Sequence, residues 1–378
     1  MADHSADSTH ITSIDEQQSL SEIEAGTPGA GARSPLKFPP KAWWAIIKRL
    51  YVMNDFHNLP LLAAGVAFFA FLAFVPLIAV IVLLYGLVGD PNMVAASIEQ
   101  VSAILPDAVL TILREQLLSI VSTNKTAQGF GLALALFVSI FGAMRAANAM
   151  MKALNIIYEE HESRNILTTT WVGAQITIGM AIVAIIGLIA ISLFSYISNF
   201  LQDYLGSSIV IVLKVLTWLA AGFLVSLTFG LFFRYAPDRR AAKWRWLSLG
   251  SVVATLLWLA ITIGFGYYAA NISNYNATYG SLAAVVIFLM WLFLSAYSVL
   301  IGAEINAESE RQTFEDSTIG RDRPIGQRGA VMADTVLLDE ASRKILEKKQ
   351  RKRSWNLDAN VPEEPLNSPV PAAGREAD

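Results

Sequence analysis

The chain has 378 residues, 54% of them hydrophobic and only 16% charged, against about 25% charged in soluble domains. Its formal net charge of -3 hides a segregation of charge into the ends and loops, and it contains no cysteine. The missing cysteine excludes disulfides, thiolate metal sites and cysteine nucleophiles; the charge deficit points to lipid, and the apolar spans below to an all-α membrane bundle.

Residues 1–36 are polar and acidic, too poor in apolar side chains to bury a core, and are expected to form a disordered tail. No apolar run follows a basic start, so the first membrane helix is expected to direct insertion itself. Lys37 to Asn58, with Trp43, Trp44, Lys48, Arg49 and Tyr51, predicts an amphipathic helix at the headgroups.

Six apolar spans follow: Leu59–Val88 with Pro76 inside it, Phe130–Leu154, Thr170–Leu201, Ile209–Phe233, Trp246–Ala270 and Tyr279–Ile301. Each is near the ~20 residues that cross a bilayer. Counted over the segment before the first span and the loops between spans, eleven Lys and Arg lie on one side and three on the other, which places both termini in the cytoplasm. The first outer loop, Gly89–Gly129, repeats Val94, Ile98, Val101 and Leu105, then Val109, Ile112, Leu113, Leu117 and Ile120. Apolar residues three and four apart predict an extracytoplasmic amphipathic helical hairpin. The six-span domain is thus 37–308. Residues 309–378 are expected to be a largely disordered cytoplasmic tail with a short basic helix near 335–353, able to bind an anionic leaflet at about 1 kcal/mol per charge.

The chemistry lies in a few polar positions. Arg145, Asn148, Lys152 and Asn155 sit three and four residues apart and share one helix face. An Arg in hydrocarbon costs about 2.5–3.5 kcal/mol, so such residues usually face a bundle interior. With Glu304 this stripe is a candidate polar seam; the plainer reading has Arg145 and Lys152 snorkelling to the boundary and pairing with Glu159, Glu160 or Glu304. Glu304 itself could accept a proton, pair with Arg145 or Arg234, or stand at a solvated helix end. Pro76 is a candidate hinge or a simple packing kink. Gly65 with Ala63, Ala64 and Ala67 offers a small-residue surface for close helix packing. Arg239, Arg240, Lys243 and Arg245 are candidate headgroup contacts or topology determinants.

Enzyme signals are weak. His161-Glu162 lacks a second histidine at metal spacing, Asp55 and His57 have no accompanying ligand set, and no phosphate-cradling loop or Gly-x-Ser-x-Gly elbow occurs. No cofactor is expected, and the basic residues lack a nucleic-acid module around them.

The run Asn54-Asp55, Ala63-Ala64-Gly65-Val66-Ala67-Phe68-Phe69 and Pro76-Leu77 resembles the opening of the YihY/BrkB family of bacterial inner-membrane proteins. Arg145 with Leu154-Asn155-Ile156-Ile157-Tyr158 is similar to that family's second-helix motif. Tyr279-Gly280-Ser281-Leu282, Trp291 and Gly302-Ala303-Glu304-Ile305-Asn306 resemble its closing signature. The resemblance covers 40–308. It implies a multi-span helical protein of the bacterial inner membrane, from a family once labelled ribonuclease BN, linked to virulence and in one branch to lipid export. The expected activity is binding or translocation of a lipid or amphiphilic envelope component, with membrane lipids and further copies of the chain as partners and no nucleic acid. The alternative is an envelope scaffold that holds partners through its tail and outer hairpin.

Overall fold

The computed structural model describes residues 26–88, 125–180, 182–183, 186–187, 207–271, 281–337 and 344. The expected outer hairpin lies outside them from 89 to 124, as does most of the expected basic helix. Packing divides the chain into residues 31–337, which carry the helical bundle, and a second unit made of the two terminal stretches, 1–30 and 338–378.

The regular secondary structure of the described residues is helical, apart from an isolated bridge between Ala242 and Thr318. A short 3-10 turn, Pro35–Lys37, leads into α1, Pro40–Phe56, then α2, Leu59–Val88, and α3, Lys125–Ile157. Helix α4 covers 166–180. Then come α5, Ser207–Tyr235, α6, Trp244–Asn271, α7, Ser281–Arg311, and the single turn α8, Val331–Asp334.

Local chemistry sets the breaks. Asn58 has φ 53°, the left-handed region that Asn tolerates better than most residues. Pro60 stands in the first turn of α2, where its missing N–H costs nothing. Together they bend α1 from Leu59–Phe74 by 61°. Residue 76 lies within a continuous helical run, beyond this bend at 57–58. Helix α4 starts after Asn165, whose Oδ1 accepts the Thr168 N–H at 2.8 Å as an N-cap.

Among the described residues three stretches are long and apolar enough to cross a membrane: Val215–Tyr235, Trp244–Tyr268 and Val285–Arg311. The bent pair α1 and α2 makes a fourth if counted as one span. The last helix exceeds its expected end at Ile301 by ten residues, because no breaker stands between Gly302 and Arg311.

Helix α7 is the hub, packing on α6, α2, α1, α3 and α8. Its closest partner backbone is α6: a Cβ on Gly302 would sit 2.5 Å from the Gly250 carbonyl oxygen and 2.6 Å from Ala254 Cβ. Asn306 fixes this crossing, accepting the Gly250 N–H at 2.9 Å and donating to the Leu247 carbonyl at 3.3 Å. Burial is concentrated at the end of the bundle that holds the 158–165 and 236–243 loops. There Leu59, Leu154, Ile157, Tyr158, Phe233, Leu247, Leu300 and Met332 form one core. Away from it Phe137, Phe141, Ile178, Trp218, Phe223 and Ile263 are exposed, the apolar outer surface of helices that face acyl chains.

The packed unit also extends past 308. Ser309, Glu310, Gln312, Thr313, Asp316, Ser317, Thr318 and Arg328 are buried, where the sequence predicted a solvated tail. Composition misled because the ordering force is polar. The Arg328 guanidinium donates to the Arg323, Phe314, Glu315 and Ala333 carbonyls, and Asp334 accepts the Gly326, Arg328 and Gly329 N–H groups.

Candidate functional site

The extra turns of α7 carry the site. Glu304, Glu308 and Arg311, four and three residues apart, line one face. The break after α1 delivers His57 to that face. His57 Nδ1 and Glu304 Oε2 are 3.0 Å apart, and both side chains are buried. On the other ring edge, Nε2 lies 3.8 Å from Glu159 Oε1. Arg311 Nη1 is 3.4 Å from the same Glu159 oxygen and 3.2 Å from Glu308 Oε1. Arg49 of α1 closes the row, its Nε on Glu308 Oε2 and its Nη2 donating to Gln312 at 2.7 Å. The result is a continuous relay of six ionisable groups, with Glu304 and His57 at its inner end. Glu304 Oε1 and His57 Nε2 are buried without a hydrogen-bond partner among the described residues. A buried carboxylate facing imidazole, and not a permanent cation, can take up or release charge by moving one proton.

Glu159 has φ 53°, the position after a helix that glycine ordinarily fills. The Glu159 N–H donates to Ile156 and the Glu160 N–H to Asn155, a Schellman closure with a glutamate in the strained place. Such strain costs about 1–2 kcal/mol. It is offset here by a carboxylate held between Arg311 and His57.

A second face of α7 carries Asn306 and Glu310. Glu310 Oε1 and Arg239 Nη2 pair at 2.7 Å with both side chains fully buried, and the guanidinium lies 4.2 Å from the Tyr158 ring centroid. Ser317 donates to the other Glu310 oxygen at 2.7 Å. The run read as headgroup contacts is therefore largely turned inward. Arg239 is internal, Arg240 has its Nη1 buried and its Nη2 where a Cβ on Gly320 would come within 2.6 Å, and Lys243 Nζ donates to the Asp316 carbonyl and to Asp322. Arg245 remains exposed. These residues clamp the segment that follows α7.

The four-residue stripe does not form one lining. Arg145 is exposed and lies over Phe141, 4.8 Å from its centroid; Lys152 is also exposed. Neither is among the partners of Glu304, which is paired with His57. Asn148 faces α4, where a Cβ on Gly173 would come within 2.7 Å of its Oδ1. Asn155 is buried: it accepts the Asp238 N–H at 2.8 Å and donates to Glu162 at 2.9 Å. The helix turns its polar residues to different neighbours because steps of three and four drift around the axis.

Asn155 anchors a tie between the two loops. Arg164 pairs with Glu162 at 2.6 Å and lies 3.7 Å from Asp238, while Ser163 donates to Asp238 through both N–H and Oγ. The Arg164 hydrogen bond holds the Glu162 carboxyl below its ordinary range. Burial acts to raise Asp238, but the Ser163 donors and Arg164 leave it lowered. Groups with depressed values stabilise the fold above the ordinary carboxylate range and lose that contribution as pH falls through the folded value. Hydrogen exchange at the Ser163 amide should therefore accelerate as pH falls below about 4 after correction for intrinsic rates, and Arg164→Ala should move the onset upward.

Sequence reasoning singled out Glu304 and Asn155 but missed their partners. Glu308 and Arg311 were legible only as spacing within α7 and His57 as a histidine just before the first span, while Glu159 was read as a partner of Arg145 or Lys152 and Arg49 as part of a headgroup helix. Among the described residues no group of three His, Cys, Asp or Glu could hold a metal ion.

Comparisons with known proteins agree on one kind of relative. The family model for virulence factor BrkB matches residues 52–325, a range that holds the relay from His57 to Arg311. The chain is 25% identical to the ribonuclease-like protein YfkH of Bacillus subtilis (strain 168), over 70% of this chain and 94% of that protein. It is 31% identical to the UPF0761 membrane protein Bxeno_A3061 of Paraburkholderia xenovorans over 48% of this chain and 43% of the relative, so the alignment spans less than half of that protein. A UPF0761 membrane protein of Alkalilimnicola ehrlichii is 45% identical over 21% of this chain and 16% of its own length. No solved structure matches. A helical chain with an apolar outer surface, carrying Glu304, His57, Arg239 and Glu310 within the matched range, belongs to the virulence factor BrkB family of membrane proteins.

Proposed function

We propose that this membrane protein is not an enzyme but binds or translocates a lipid or amphiphilic envelope component, with His57 and Glu304 as a protonatable latch between its helices. In this reading six spans cross a bacterial inner membrane, both termini are cytoplasmic, and the relay sits at the cytoplasmic end. The observation that carries it is the buried Glu304 carboxylate, one oxygen on His57 and the other without a partner among the described residues. Ionisable groups inside membrane bundles are expensive and default to function. Here protonation decides whether the junction of α1 and α2 is held to α7 by an ion pair.

The test is movement of fluorescent phosphatidylglycerol across proteoliposomes containing the full chain, followed from about pH 5 to 8, the range in which histidine charge changes. The native chain should show a pH-dependent rate. Glu304→Gln and His57→Gln should flatten that dependence while leaving the protein monodisperse. Native-like pH profiles in both variants would remove the latch.

An envelope scaffold is the second reading, favoured by the packed segment 312–337 that continues into a polar tail. Deleting 338–378 leaves the buried segment intact and separates the two. A translocating core keeps its activity, whereas a scaffold loses its partners in a pull-down.

A further inference from the structure

Most arginines at the loop-rich end have an oxygen partner: Arg49, Arg164, Arg239 and Arg311 have carboxylates, and Arg328 has carbonyls. Arg234, on the last turn of α5, has neither. Its Nε and Nη1 are buried with no hydrogen-bond partner among the described residues. Its guanidinium lies 4.9 Å from the Trp244 ring centroid and 5.5 Å from that of Tyr235. Both rings are partly open, at 42% and 55% exposure.

The place of this residue matters as much as its contacts. Val215–Tyr235 ends, and Trp244–Tyr268 begins, at this level, so Arg234 stands where two membrane-spanning stretches emerge together. Aromatic side chains hold a guanidinium by its face and leave its edge to donate. Leading away from it along α5, Leu231, Leu227, Phe223, Leu219 and Val215 recur every four residues and are exposed. The helix thus offers a fixed positive charge at one end of a continuous apolar strip. Free phosphate would use only the charge. A lipid uses both parts.

We propose that Arg234, Trp244 and Tyr235 form a binding site for the phosphate of an anionic phospholipid, whose acyl chains lie along the exposed strip of α5. Arg234 supplies charge and hydrogen bonds to the phosphate oxygens, an interaction stronger than a neutral hydrogen bond. Trp244 and Tyr235 fix the plane of the guanidinium and cover its inner nitrogens. The strip selects a ligand with tails. The site stands apart from the His57–Glu304 latch and does not require that the bound lipid be moved.

The full chain is purified in a non-ionic detergent and titrated with phosphatidylglycerol or phosphatidylcholine of identical acyl chains, with bound lipid read by native mass spectrometry. Glycerol 3-phosphate, a small phosphate monoester without tails, is added as a competitor. The native chain should prefer phosphatidylglycerol, and glycerol 3-phosphate should not displace it at equal concentration. Arg234→Gln should reduce the preference about fivefold or more. Trp244→Leu, which keeps the charge and removes its aromatic support, should also reduce it. Lys48→Gln, which removes an exposed cation resting on the single ring of Trp44, should leave it unchanged. Equal binding of the two lipids by the native chain overturns the proposal. So does unaltered preference in both Arg234→Gln and Trp244→Leu, or equal loss in Lys48→Gln, which would mean diffuse charge attraction. Displacement by glycerol 3-phosphate at equal concentration would reassign the site to small phosphates.

Discussion

Arg239→Met lowers the stability of the folded chain by about 3–5 kcal/mol, the usual consequence of removing one partner from a buried ion pair. The loss comes less from the missing attraction than from what remains. Glu310, fully buried, keeps only the Ser317 hydroxyl as a close donor to its carboxylate among the described residues. Tyr158 loses the cation above its ring. Because Ser317 belongs to the segment clamped by the 236–243 loop, the same change should open 312–337 to protease while the native chain resists. Detergent-solubilised protein, heated in steps and followed as the monodisperse fraction, gives the first readout; cleavage within 312–337 gives the second. Arg239→Met combined with Glu310→Met removes both charges and should recover most of the loss, since apolar pairs of similar volume often replace buried ion pairs without penalty. If the double variant is no more stable than the single one, the pair is not the source of the effect.

Helices α2, α3, α5, α6 and α7 lie where the sequence expected apolar spans, because a long apolar run has few alternatives to a helix. The ends were less legible. Ile301 reads as the end of a span because polarity begins at Glu304, yet the helix continues while its new face finds partners in His57, Arg49 and Arg239. Those partners come from positions more than seventy residues away in sequence, and spacing along one helix cannot announce them. The polar stripe of α3 shows the converse error. Four residues at helical spacing share a face in projection, but neighbours decide their fate: Asn155 meets the 236–243 loop, whereas Arg145 has Phe141 beneath it and remains exposed. The basic run from Arg239 to Arg245 resembled a surface patch because its carboxylate partners lie in a segment that composition alone marked as a tail.

Gly302→Ala should be the second most damaging single change, costing about 1–3 kcal/mol or more through overpacking. The new methyl would meet the Gly250 carbonyl oxygen and Ala254 Cβ. The first of these is helix backbone, so α6 and α7 must separate as rods. A methyl on Gly250 is equally excluded by the Gly302 carbonyl and Asn306. Separation also lengthens both Asn306 bonds across the crossing. In a bilayer, close packing and interhelical hydrogen bonds, not water exclusion, hold helices together, so their loss has no hydrophobic compensation. Gly65→Ala is the informative control. Its neighbours Ala63 and Ala67 are in the core, but a Cβ on Gly65 would meet nothing within 4 Å, and replacing a mid-helix Gly by Ala ordinarily gains about 0.5–1 kcal/mol. The two substitutions, chemically identical and both in apolar helices, should therefore move thermal stability in opposite directions. Glu304 stands two residues beyond Gly302, so Gly302→Ala should also disturb the His57 contact and flatten the pH profile of any activity that depends on it. A Gly302→Ala chain as stable as Gly65→Ala would show that α6 and α7 do not approach as closely as their backbones indicate.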